Sequence, residues 1–222
     1  VRGVRRLVSL RERRGYFCKR GGVVAVLQGR GGECACGAGC GLLCWSGMKI
    51  LLQECGAVVP QRLESDWFGA AVVPAPEFSF ELGEHELVFR AARRAPAMIH
   101  PEARPGAFCA ELWRYDTAEF FMGQVNGGRY LEFNLCPNGA WWAQAFDAPR
   151  KAAAAVPPPQ GVRASGQCGP EGWECCASLP LAELERLGLD PRDCRLAFAA
   201  ILNTPQQIFL TTAEDLSGEP DF

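Results

Sequence analysis

Glu119 and Glu132 stand on segments whose apolar alternation predicts neighbouring strands. Two carboxyl groups facing one ligand can act as acid and base on a glycosidic bond, provided that one is kept protonated and their spacing suits the attack. Nothing in the sequence fixes that spacing, so catalysis by this pair stands only as an alternative. Other reactive groupings are thinner. The chain has twelve Cys and two His, with no local signature joining a nucleophile to a base. No phosphate-cradling loop and no Gly fingerprint after a strand is visible. Cys34, Cys36, Cys40 and Cys44 lack the paired spacing of common zinc sites. Seven further cysteines, from Cys55 to Cys194, are odd in number and irregular in spacing, so reduced thiols are expected; export would instead permit bridges of the Cys168–Cys194 kind. No cofactor or metal is expected.

The elements that must position these side chains are short strands. Phe78, Phe80 and Leu82 alternate, Gly83-Glu84 can turn the chain, and Leu87 and Phe89 alternate again, which predicts a hairpin. Residues 91–110 read as a loop. Three strands then follow quickly, over Ala118–Val125, Arg129–Cys136 and Ala140–Phe146, separated by Asn-Gly-Gly and Pro-Asn-Gly turns. On the second, Leu131, Phe133 and Leu135 share one face and Tyr130, Glu132 and Asn134 the other. On the third, Trp142 and Trp141 point to opposite faces. Residues 151–161 read as a loop because the Pro triplet stops the Ala run. Gly172–Ala177 is expected to be a strand. Pro180 can open a short helix carrying Leu181, Leu184 and Leu187, which Gly188 can end. Arg195–Leu202 and Gln207–Thr212 complete the set. The reading is all-β: an antiparallel β-sandwich of immunoglobulin or jelly-roll kind with one short helix.

Charge divides the chain. Residues 1–47 hold nine Lys/Arg against two acids, eleven of the 25 Gly and none of the 16 Pro, whereas residues 48–222 hold fourteen Lys/Arg against 23 acids. A basic arm for nucleic acid is one reading of Arg2, Arg5, Arg6, Arg11, Arg13 and Arg14. A signal peptide is another, but the apolar stretch Val23–Leu27 is short for one. We expect instead that residues 1–47 are an extension outside the natural protein, that Met48 is its start, and that residues 48–77 lead into a sandwich over 78–222. No apolar run is long enough for a membrane-spanning helix. Without a visible signal peptide a cytoplasmic location is expected, and an extracellular one if the start is misassigned. A nucleic-acid partner and a membrane are not expected.

One pattern goes further. Leu-Trp-Arg-Tyr-Asp-Thr-Ala-Glu-Phe-Phe (112–121), Tyr-Leu-Glu-Phe-Asn-Leu-Cys-Pro-Asn-Gly-Ala-Trp-Trp (130–142) and the closing Leu-Ser-Gly-Glu-Pro-Asp-Phe (216–222) resemble the family 9 carbohydrate-binding modules and their DOMON-like relatives. The resemblance covers roughly 78–222 and is most specific at 112–142. It implies non-catalytic binding of an oligo- or polysaccharide, and often a glycoside hydrolase partner in carbohydrate catabolism. It makes Trp113 the stacking platform and Glu119, six residues on, the acid that accepts from sugar hydroxyls. Asn203 matches the family's late Asn, and Gln206 stands where the family expects a second Trp. Trp142 and Arg90 are further candidate contacts. The chemistry is consistent, because an aromatic face takes the C–H side of a sugar while carboxylates, amides and guanidinium groups take its hydroxyl rim. The bland readings remain open: Trp113 as a core cap, Glu119 and Glu132 in an ordinary polar face, Arg90 as a solvated cation. Two other functions are carried alongside. One is an interaction domain that kept the fold and lost the sugar. The other is haem binding, known among DOMON relatives, for which Met98, His100, Met122 and His85 would supply ligands.

Overall fold

The computed structural model describes the backbone of residues 24–26 and 51–54 and, in full, residues 59–125, 127–213 and 218–220. The arginine-rich start, the Cys34–Cys44 run, Met48, Cys55 and most of the closing Leu216–Phe222 motif lie outside these residues.

Alternating aromatic and polar residues produce two facing sheets. In chain order the strands are β1 (Val24–Val26), β2 (Leu51–Glu54), β3 (Gln61–Arg62), β4 (Glu77–Leu82), β5 (Glu86–Arg93), β6 (Thr117–Gln124), β7 (Tyr130–Leu135), β8 (Trp141–Ala148), β9 (Lys151–Ala152), β10 (Arg163–Gly169), β11 (Gly172–Pro180), β12 (Cys194–Leu202) and β13 (Ile208–Thr211). Sheet one runs β1-β2-β4-β5-β11-β10, with β3 also on β4; sheet two runs β13-β12-β6-β7-β8-β9. Pairing is antiparallel except between β2 and β4. The one helix among the described residues, α1 (Leu181–Arg186), follows Pro180 and ends before Gly188 at φ 77°. This is the β-sandwich expected from the sequence. The expected strands appear within a few residues of their predicted bounds, with β11 running on to Pro180. Strand β10, Arg-Ala-Ser-Gly-Gln-Cys-Gly, is an addition that alternation did not reveal.

Phenylalanines join the sheets. Phe78, Phe80 and Phe89 of sheet one and Phe120, Phe133 and Phe198 of sheet two are fully buried. Phe78 stacks on Phe198 at 4.1 Å and Phe89 meets Phe120 edge-on at 5.2 Å. Pairs of this kind add about 0.5–1.5 kcal/mol beyond their area burial. Trp141 lies on the core side, parallel to Phe133 at 5.9 Å, which leaves Trp142 on the outside. The edge beside β10 is closed by backbone alone. A Cβ on Gly139 would lie 2.5 Å from the Ser165 carbonyl carbon, and one on Gly166 would overlap the Pro137 carbonyl oxygen. The β7–β8 turn therefore seats directly on β10, and only glycine fits on either side.

Candidate functional site

Because Ala118, Phe120 and Met122 face the core, Thr117, Glu119 and Phe121 must face outward on sheet two. The register then sets rows across that outer face. Ala199, Glu119, Asn134 and Trp142 form one row, and Ala197, Phe121, Glu132 and Gln144 the next. Glu132 is thus the diagonal neighbour of Glu119. At the rim, Ile201 pairs with Thr117, and the chain continues to Asn203.

The connection from β5 to β6 folds across this face. Its Ala103 and Leu112 pack with Cys136 and Ala140, and Ile99, Cys109 and Trp142 join them. Thr117 Oγ1 donates to the Leu112 carbonyl at 2.7 Å and holds the 3-10 turn Leu112–Arg114 against the sheet. That turn leaves Trp113 half exposed, at 50%, with the Arg114 guanidinium 5.1 Å from its ring centroid. Trp142 is partly buried in the cluster beneath the loop.

Under this cover the polar groups are short of partners. Glu119 is 1% exposed and Asn134 0%. Asn134 Nδ2 donates to Glu132 Oε1 at 3.3 Å. Glu119 Oε1, Asn134 Oδ1 and Asn203 Nδ2 find no partner within the protein, although buried polar atoms are rarely left so. Burial pushes the Glu119 carboxyl well above the usual range, and the neighbouring Glu132 pushes it further. Burial also raises Glu132 to about 7, opposed by the Asn134 hydrogen bond.

Buried polar groups tie the rim together. Arg93, at the inward end of β5, donates from Nε to the Pro74 carbonyl at 3.1 Å and from Nη1 to the Thr204 carbonyl at 3.0 Å. Its charge acts on Asp116, which is 0% exposed and accepts the Asn203 backbone N–H. Burial raises the Asp116 carboxyl, while the N–H donors of Asn203 and Met98 and the Arg93 charge lower it. Desolvation in turn lowers the Arg93 pKa. Gln207 Nε2 donates to Asn203 Oδ1 at 3.1 Å. Asp116 thus couples the loop of Trp113 to the loop of Asn203. Neither it nor Arg93 stood out in the sequence, although Asp116 lies inside the motif, three residues after Trp113.

Trp113, Glu119, Trp142 and Asn203 therefore gather along one face of sheet two, and the structure adds Asn134 and Glu132. Arg90 does not join them. Phe89 and Ala91 point into the core from β5, which turns Arg90 to the outer face of sheet one, where it pairs with Glu81 at 3.0 Å. It lines an open depression of about 420 Å³ with Glu77, Ser79, Glu174 and Cys176. Glu77 there is engaged by Arg62 at 2.6 Å. The side chains weighed for haem are spread out. Met122 is buried between the sheets, Met98 is exposed on the covering loop, and His100 meets Tyr115 edge-on at 4.8 Å. His85 is in the β4–β5 turn beside Glu84. The six described cysteines are all free. Among the described residues no three His, Cys, Asp or Glu side chains converge to hold a metal ion, and no helix is long and apolar enough to cross a membrane.

A β-sandwich with one polar, loop-covered outer face is the class that fold and site define. No family model matches the chain, and no curated protein matches it in sequence. Solved structures do match. A candidate carbohydrate-binding protein from Bacteroides uniformis aligns over 74% of this chain and 81% of its own, with 14% identity and a TM-score of 0.57. A family 9 carbohydrate-binding module from Caldicellulosiruptor kristjanssonii, solved with glucose, aligns over 70% of this chain and 74% of its own, with 9% identity and a TM-score of 0.46. The same kind of module solved with cellotriose gives 10% and 0.43, over 70% and 72%. At such identities what is shared with the Bacteroides protein is the fold.

Proposed function

We propose that this domain binds carbohydrate without transforming it, on the outer face of sheet two. Trp113 serves as the platform for a sugar ring, and Glu119, Asn134 and Asn203 contact hydroxyls. The observation that carries the reading is the set of buried, unpartnered atoms, Glu119 Oε1, Asn134 Oδ1 and Asn203 Nδ2, at a face whose covering loop carries an exposed tryptophan. A sugar rim both donates and accepts, so it can supply what each of them lacks. The residue pattern at 112–142 and the fold shared with the Bacteroides uniformis protein support the same reading. Glu119 and Glu132 rise from adjacent strands on one face and do not flank a bond from two sides, which favours binding over hydrolysis. A domain of this kind would serve a separate glycoside hydrolase by holding its polysaccharide.

The test is calorimetric titration of the protein with soluble oligosaccharides, with Trp113→Ala beside it. Micromolar binding that weakens about tenfold or more in the variant is expected. Gln206, at the place of a second platform, favours one alternative, an interaction domain without a sugar ligand. Absence of binding across the panel would select that alternative.

A further inference from the structure

We infer that the saccharide taken by this face carries a free ammonium group, as in oligosaccharides of 2-amino-2-deoxyhexose. The inference rests on the sugar-binding reading above and specifies its ligand. Its ground is an imbalance on the face. Glu119 and Glu132 are diagonal neighbours, and the one amide between them already donates to Glu132. The two unpartnered atoms at the centre, Glu119 Oε1 and Asn134 Oδ1, are both acceptors when the carboxylate is ionised, and both belong to side chains at most 1% exposed. Burial holds both carboxyls towards the protonated form in the free domain, and a ligand that brings hydrogen donors and positive charge would favour the ionised form. An ammonium group offers three donors and one charge at a single atom.

Among the described residues no base pairs with either carboxyl; on the covering loop Arg104 donates to the Pro101 and Ala103 carbonyls and His100 accepts the Glu102 N–H. Strand β8 contributes Trp142 and Gln144 to the two rows, and β12 contributes Ala199 and Ala197. Arg195 on β12 lies one row further along, opposite Gly123. Arg129 is paired with Asp147 at 2.8 Å. Arg114, beside the Trp113 platform, faces Glu111 at 3.4 Å. Arg93 donates to two carbonyls at the rim and feels the charge of Asp116 there. The influences on the Glu119 and Glu132 carboxyls are accordingly burial, one another and an amide, with no cation among them. A third carboxylate or imidazole that would complete a metal set is lacking among the described residues. Glu132 is the less buried of the two acids and is the one an incoming ligand meets first.

The experiment compares three ligands of matched length on the full chain near pH 6.5: a glucosamine oligosaccharide, its N-acetylated form and a cello-oligosaccharide. Calorimetric affinities are read at low and at high salt. The expected result is a preference of about tenfold or more for the free amine over both neutral ligands, shrinking as salt is added. Glu132→Gln is expected to reduce that preference to within about threefold, with folding checked by thermal unfolding. Equal or tighter binding of a neutral ligand, or an amine preference insensitive to salt, overturns this inference and leaves the sugar reading standing. Failure of all three ligands to bind overturns both.

Discussion

Both outer faces of the sandwich carry carboxylates, and they treat them in opposite ways. On sheet one three acids are met by bases: Glu77 by Arg62, Glu81 by Arg90, Glu86 by Arg163. These pairs lie in solvent, where such contacts contribute about 0–1 kcal/mol. On sheet two, Glu119 and Glu132 are diagonal neighbours on adjacent strands, under a loop, and among the described residues no base pairs with either. Desolvating carboxyl groups this way destabilises the fold unless something answers them. The depression on sheet one is the more obvious hollow, yet its Arg90 and Glu77 are already committed. On the proposed reading, uncommitted polar groups mark a ligand face better than concavity does.

The contrast can be broken by experiment. Asp116→Ala removes the acceptor of the Asn203 backbone N–H and the charge that acts on Arg93, and about 1–3 kcal/mol of stability is expected to be lost by urea unfolding. A loss below about 1 kcal/mol would show that the rim is not held by Asp116. The next effect is a pH dependence confined to sheet two. Because burial raises Glu132 to about 7, the folded state holds its proton where the unfolded chain has released it. The stability this proton confers is full below the unfolded value near 4.5 and is lost as pH rises towards about 7. The urea midpoint is therefore expected to fall between pH 5 and about 8, and Glu132→Gln to flatten that slope. An unchanged slope in the variant would place the buried charge elsewhere. The smallest effect belongs to sheet one: Arg90→Ala is expected to cost at most about 1 kcal/mol and to leave sugar affinity unaltered. A clear loss of binding in that variant would move the ligand to the other face.

The same two faces show what could be read from residues alone. Strict alternation in Phe78–Leu82, Leu131–Leu135 and Trp141–Phe146 announced strands, and it sorted Trp141 from Trp142 correctly. Strand β10 gave no such signal. Its side chains are small or polar and mostly exposed, and what seats it is contact with the backbone of a turn distant in sequence. At the site, the Trp113–Glu119 spacing and Asn203 came from a motif. Asn134 was visible on the right face but not as buried, because its cover is a loop with no periodicity. Arg90 illustrates the converse limit. Alternation in β5 says that it points outward, whereas strand order decides which of two outsides that is.

The glycine contact between the β7–β8 turn and β10 acts as a lever on the whole arrangement. Cys136 and Ala140, at the two ends of that turn, belong to the cluster that seats Leu112 and Trp142. A single methyl group added at Gly166 would push the Pro137 carbonyl away, and the turn would carry its passengers with it. The outer face of sheet two is thus held in place from the opposite sheet. Randomising only the residues that touch a sugar would miss a position where the change from hydrogen to methyl retunes recognition from afar.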